Sequence, residues 1–251
     1  MDLNKPFSMK KSVALSIIAF LMAFVAGYAQ EMKLDDVLNA YYKATGVVKM
    51  KDWNTIRSTG KTIAQGMEFP FTITMKRPFK LRVEAEVQGT KMIQCFDGQQ
   101  GWNVIPWSGS SVPQDMTADE IKNMKEQADM EGALYQWKEK GHQAELLDKE
   151  DMEGSSAYKI KLTKANGDIE TDFIDAENFI LLKTVSKVKM QGNETESESL
   201  FTNYKDINGV LMAGTITNKI KDQTVNQIVI DKTDVNPAVS DSIFIKPVVK
   251  K

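Results

Sequence analysis

Few residues of this 251-residue chain could carry covalent chemistry, and their spacing does not bring them together. His142 is the only histidine, so a histidine-based triad or a histidine-rich metal site would have to be built around it. It follows Lys140-Gly141 in a polar stretch that reads as an exposed turn. Glu84 and Glu86 fall on one strand face, where they could imitate a pair of catalytic carboxylates. They alternate with Leu81, Val83, Ala85 and Val87, and a solvated face opposite an apolar one accounts for that pattern. Cys95 is the only cysteine, so no internal disulfide can form. With Met92, Ile93 and Phe96 around it, it reads as a small buried hydrophobe rather than a reactive thiol. There is no Gly-rich phosphate loop. Neither catalysis nor a bound metal or cofactor is expected.

What remains is binding, and the residues suited to it lie between Phe69 and Trp107. Phe69, Phe71, Ile73 and Met75 alternate with Thr72, Thr74 and Lys76. Leu81 and Val83 alternate in the same way with Lys80, Arg82 and Glu84. Side chains in a strand point to opposite faces with period 2, so each strand has one apolar and one wet face. Lys76-Arg77-Pro78 separates the two strands, because proline cannot donate to a ladder. A third strand, Met92 to Phe96, turns at Asp97-Gly98 into Trp102 to Pro106. Phe71, Ile73, Met75, Leu81 and Val83 could line an apolar cavity or simply form core, and alternation alone does not choose between them. Trp102 could face a ligand or buttress its turn. The chain is also rich in methionine, a flexible side chain common both on adaptable binding surfaces and as core filler.

The elements that must position these residues can be read along the chain. Lys10 and Lys11 precede an apolar run from Val13 to Val25 and the small residues of Ala26-Gly27-Tyr28-Ala29. This is the pattern of a signal peptide cleaved at Ala29–Gln30, with either Met1 or Met9 as the start. Losing Lys5, Lys10, Lys11 and Asp2 with residues 1–29 leaves 29 Lys+Arg against 33 Asp+Glu, a net charge of −4. Nucleic acid, which is held by clustered positive charge, is not the expected partner. Leu34 to Thr45 has helical spacing, with Gly46 placed as its cap. Thr117-Ala118-Asp119-Glu120 is a capping box opening a second helix that carries Ile121, Met124 and Ala128 on one face. Gly132 should break that helix before Leu134, Tyr135 and Trp137.

From Ala144 onward strands return, with turns at Asn166-Gly167, Gly192-Asn193, Asp206 to Gly209 and Asp222-Gln223. The fold class is therefore mainly β (α+β). It is a single curved antiparallel sheet of about ten or eleven strands, an unclosed half-barrel rather than a full one. Strands are expected over Ile169–Ile174, Phe179–Met190, Glu198–Tyr204, Leu211–Lys221 and Asn226–Asp231. The N-terminal helix and the inserted helical segment are the only material available to cover its apolar face. Residues 30–251 form one domain.

An apolar strand, K-R-P, an extended strand and D-G-x-x-x-W together resemble the LolA/LolB family of periplasmic lipoprotein carriers. The matching residues are Lys76, Arg77, Pro78, Asp97, Gly98 and Trp102. Phe244-Ile245-Lys246-Pro247 is similar to the F-x-x-P segment that closes that family's domain, so the resemblance runs from about Leu34 to Pro247. It implies a half-barrel with a helical lid and an acyl-binding cavity lined by Phe71, Ile73, Met75, Leu81, Val83, Trp102, Ile121 and Met124. It also implies that Arg77 latches the lid by donating to helix-end carbonyls. The implied function is a monomeric, non-catalytic periplasmic carrier that delivers a lipoprotein or another acylated ligand to the outer membrane. Its partners would be an inner-membrane transporter and an outer-membrane acceptor. The alternative is a sensor domain that binds a membrane regulator protein or a lipid signal. Exported protein should begin at Gln30, which N-terminal sequencing or intact mass checks; a retained N-terminus would make the apolar run an anchor.

Overall fold

A computed structural model of the chain describes residues 32–109, 111–152, 154–190 and 193–248. The segment read as a signal peptide lies outside the described residues, as does Gly192 of one expected turn. The first helix, α1, spans Leu34–Thr45 and buries Val37 and Leu38. Gly46 ends it in the left-handed region at φ 69°, donating its N–H to the Tyr42 carbonyl. A side chain at Gly46 would collide with the Gly209 carbonyl, so both backbone conformation and space demand glycine here. A short 3-10 helix, Val47–Asp52, follows directly.

Six strands come next: β1 (Thr55–Ala64), β2 (Met67–Lys76), β3 (Lys80–Val87), β4 (Thr90–Phe96), β5 (Gly101–Val104) and the two-residue β6 (Gln114–Asp115). A helix, α2 (Ala118–Gln127), and a run of turns lead to β7 (Gln143–Met152), β8 (Ser155–Thr163), β9 (Ile169–Asp175), β10 (Leu181–Met190) and β11 (Asn193–Thr202). The small hairpin β12 (Lys205–Ile207) and β13 (Val210–Met212) precedes β14 (Thr215–Ile220) and the long β15 (Gln223–Val235). Apart from that hairpin, thirteen strands make one antiparallel sheet in the order β6-β5-β4-β3-β2-β1-β15-β14-β11-β10-β9-β8-β7. The sheet is not closed into a barrel, since β6 and β7 are its two edges.

Turn chemistry fixes much of the register. Asn208 and Gly209 have φ of 53° and 79°, and Lys221 and Asp222 have 49° and 62°. Two successive positive φ values match the twist of the flanking strands in a two-residue hairpin. At the β4–β5 turn the Asp97 carboxylate accepts N–H bonds from Gln99 and Gln100, both at 2.8 Å. The strand count exceeds the ten or eleven expected, because Leu211–Lys221 is interrupted at Gly214 and a two-residue edge strand carries no periodicity. Gly214 turns its N–H to the Thr202 and Asn203 carbonyls, which ends β13 and starts β14. Phe179, expected in a strand, lies in a turn at φ 53°.

β15 pairs with β1 from Ile56↔Val235 to Ile63↔Gln227, joining an N-terminal half (β1–β6) to a C-terminal half (β7–β14). As a result residues 116–142 must carry the chain from one edge of the sheet to the other. Met116, Ile121, Met124 and Ala128 of this stretch pack on β2–β4, so it crosses the face. That segment is the lid.

The two faces of the N-terminal half are covered by different material. Leu81, Phe96, Met116, Met124 and Ala128 form one buried cluster against which Ile73, Met75, Val83 and Ile121 pack, so α2 seats directly on β2–β4. On the other face Cys95 and Trp102 pack on Phe244, with Ile93, Val104, Val239 and Ile243 around them. The C-terminal segment is held there by Lys76 and Lys80, which pair with Asp241 at 2.9 and 3.2 Å, and by Arg82, which donates to the Ile243 carbonyl.

In the C-terminal half, Asp172 of β9 is 2% exposed. Its Oδ1 accepts from the Thr184 hydroxyl at 2.6 Å, while Oδ2 is the one buried side-chain oxygen or nitrogen left without a partner among the described residues. Burial pushes its pKa up to about 8, and repulsion from Glu170 adds to the rise. An acid whose folded pKa lies above its unfolded value stabilises the fold fully below that unfolded value, about 3.9, and loses the contribution as pH climbs through the folded one. Asp172→Asn should therefore gain stability relative to the parent between pH 5 and pH 9, by a few kcal/mol at about 1.4 kcal/mol per unit. Urea denaturation at both pH values measures this, and an equal difference at the two would contradict it.

Candidate functional site

The site is the lid and what lies beneath and beside it. Thr117 opens α2 with a reciprocal cap: its N–H and hydroxyl donate to the Glu120 carboxylate at 2.7 and 2.8 Å, and its Oγ1 accepts from the Glu120 N–H. Helical spacing then sends Ile121, Met124 and Ala128 to the sheet and leaves Lys122, Lys125 and Glu126 facing away from it. Beyond α2 the lid continues over α1 and the 3-10 helix. Met130 and Tyr135 pack on a cluster of Val47, Met50, Trp53, Ile56 and Val210, and Tyr42 donates to the Leu134 carbonyl at 2.6 Å.

Arg77 ties these parts together. Its Nε donates to the Trp53 carbonyl at 2.7 Å and one terminal nitrogen donates to the Met50 carbonyl at 2.8 Å, at the end of the 3-10 helix. The guanidinium also forms an ion pair with Glu131 of the lid. The Glu131 side chain is only 11% exposed, so the pair is largely shielded from water. The Arg77 N–H also bonds to the Asn54 carbonyl at 2.9 Å.

A second set of ties runs from the lid to the far half of the sheet. Lys164, in the β8–β9 turn, pairs with Glu126 at 2.9 Å and with Glu170 at 2.7 Å. Asn166 donates to Glu126, Lys122 pairs with Asp168, and Lys140 pairs with Asp129 within the lid. Between α2, this turn and the start of β7 is a cleft of about 750 Å³. Its walls include Phe79, Ala118, Ile121, Ala133 and His142.

Six of the eight residues expected to line a cavity come together under the lid: Ile73, Met75, Leu81, Val83, Ile121 and Met124. They fill the space between sheet and helix. Of the eight, only Ile121 also borders the open cleft. Phe71 is buried on the same strand face but sits further along β2, opposite Gly60 and Ala85, outside that cluster. Trp102 is on the other side of the sheet. It pairs with Cys95, whose neighbour Phe96 faces the lid, so parity sends Trp102 away from it. There its indole N–H donates to the Phe244 carbonyl at 3.0 Å and Arg82 lies over its ring. Trp102 therefore leaves the ligand set and becomes a clamp on the C-terminal segment. Cys95 is fully buried, and desolvation pushes its thiol up to about 11.

Three participants were not apparent from the sequence. Glu131 has no local signal, because its role arises only where the lid crosses Arg77. Phe79 is half-exposed at φ 53°, a conformation that bulky residues rarely adopt. His142, expected in an exposed turn, is half-buried in the cleft wall, and its Nδ1 accepts the Ala165 N–H at 3.1 Å. Burial, then the charges of Lys140 and Lys164, holds its pKa below the ordinary histidine value.

No family model and no curated protein matches this sequence. Solved structures do match its fold. A LolA superfamily protein from Nitrosomonas europaea superposes with a TM-score of 0.57 at 16% identity, covering 84% of this chain and 97% of its own. A DUF1329 family protein from Desulfovibrio piger gives 0.57 at 12% identity, over 83% and 97%. A domain from Vibrio parahaemolyticus, described as an outer membrane lipoprotein-sorting protein, gives 0.56 at 9% identity, over 82% and 95%. With its open thirteen-stranded sheet and a lid carried across one face, this chain has the LolA-like fold.

Proposed function

We propose that this protein is a periplasmic carrier that holds the acyl chains of a lipoprotein or lipid between sheet and lid and delivers them toward the outer membrane. One observation carries the reading. The lid rests on an apolar layer of Ile73, Met75, Leu81 and Val83, while side-chain ties hold it at its margins, among them Glu131 with Arg77, Glu126 with Lys164 and Lys122 with Asp168. Lifting α2 would uncover that layer, and an alkyl chain is the chemistry that would replace the lost contact. Burial of this kind is non-directional, which suits a cargo that must enter and leave. The signal-peptide pattern of residues 1–29 supports export. The structural neighbour described as a lipoprotein-sorting domain supports the cargo class. Among the described residues no helix is long and apolar enough to cross a membrane.

In this reading Arg77 sets how firmly cargo is retained. Its pair with Glu131 belongs to the closed lid, while its bonds to the Trp53 and Met50 carbonyls hold the guanidinium against the 3-10 helix. Opening for cargo breaks that pair, at a cost of about 1.5–3 kcal/mol for each hydrogen bond made by a charged group. That cost weakens retention and favours handover. Because Arg77→Leu alone would strand the buried Glu131 carboxylate, the suitable variant is Arg77→Leu with Glu131→Gln. It is expected to stay folded, to bind an acylated peptide at least as tightly as the parent, and to pass it on several-fold more slowly. Transfer of a fluorescent acylated peptide to liposomes measures this. Release as fast as from the parent protein would reduce Arg77 to a structural edge residue.

A further inference from the structure

The cleft beside α2 differs in chemistry from the layer beneath it. Its volume of about 750 Å³ is in the range of small-molecule sites. Its apolar lining includes Phe79, Ala118, Ile121 and Ala133. Most charged groups at the rim are already matched, in the pairs that Lys164, Lys140 and Lys122 make with Glu126, Glu170, Asp129 and Asp168. Lys125 is the exception: it borders the cleft, is exposed, and forms no ion pair among the described residues. His142 adds a second donor. With Nδ1 accepting from the Ala165 N–H, the proton of the neutral ring belongs to Nε2. An apolar lining with one unmatched cation and one neutral N–H donor is complementary to an oxyanion on an alkyl chain.

The cleft also adjoins the latch. Phe79 is two residues from Arg77, and Ala133 is two residues from Glu131. A chain lying along Phe79 and Ala133 would press on both segments that the Arg77–Glu131 pair joins.

We propose that this cleft binds a single-chain amphiphile with an anionic head, the head at Lys125 and His142 and the chain along Phe79, Ile121 and Ala133. The inference rests on the carrier reading and adds to it a site beside the lid rather than beneath it. Both a fatty acid and a lysophosphatidic acid carry the required chemistry, and the two heads can be tested separately.

The test is equilibrium binding of a conjugated fluorescent fatty acid, with displacement by lysophosphatidic acid, by a fatty alcohol of equal length and by inorganic phosphate. Both anionic lipids should displace the probe at least tenfold better than the alcohol, and inorganic phosphate should not displace it. Lys125→Glu, at an exposed position, should weaken fatty acid binding at least fivefold and leave the alcohol unchanged. Ala133→Trp should abolish probe binding by filling the cleft. Alcohol binding as tightly as the acid, displacement by phosphate alone, or no effect of Lys125→Glu would overturn the proposal. Binding that survives Ala133→Trp but is lost in Ile73→Glu would place the chain under the lid, leaving the carrier reading intact and the cleft inference wrong. No binding of any alkyl chain would overturn both.

Discussion

The Arg77 guanidinium is where three parts of this structure that are distant in sequence meet. It reaches the carbonyls of Met50 and Trp53 on one side and the Glu131 carboxylate on the other, while its own backbone bonds to Asn54. The need for such a knot follows from topology. The lid links β6 to β7, the two edges of the sheet, and has no strand pairing to hold it in the middle of its crossing. Apolar contact positions it but does not orient it. A planar cation with several fixed donors supplies the orientation, and its ion pair with the largely covered Glu131 defines the closed state.

The two faces of the N-terminal half then take different tasks. On one, Leu81, Phe96 and their neighbours meet a helix that polar ties hold in place. On the other, Cys95, Trp102 and Phe244 meet the C-terminal segment, which is pinned by Lys76, Lys80 and Arg82 as well as by the Trp102 indole. The second cover is cross-braced by both charge and backbone acceptors. The first is tied through Glu131, Glu126 and Lys122 to Arg77, Lys164 and Asp168, which lie in turns rather than on the strands that the lid covers.

Local signals in the sequence reached far where the cause is local. α1 spans Leu34–Thr45 as its spacing implies, the Thr117–Glu120 box opens α2, and Ile121, Met124 and Ala128 share the buried face. Pairing across the chain left no such trace. That β15 returns to β1 depends on contacts between Ile56 and Val235, and no window of periodicity contains both. Trp102 illustrates a subtler limit. Alternation shows which residues share a face, but β4 carries apolar residues on both faces, so it cannot say which receives the lid. The cleft is legible only in three dimensions, since Phe79, the lid, His142 and the β8–β9 turn come from separate stretches.

The central claim is that the apolar layer under the lid exists to be exchanged for acyl chains. Mass spectrometry of an organic extract, taken from protein purified in native form from the envelope of the cells that make it, tests this most directly. The account predicts co-purifying acylated molecules in near-stoichiometric amount, lost when Ile73 in that layer is replaced by glutamate. Protein free of lipid and bound instead to a stoichiometric protein partner would contradict it.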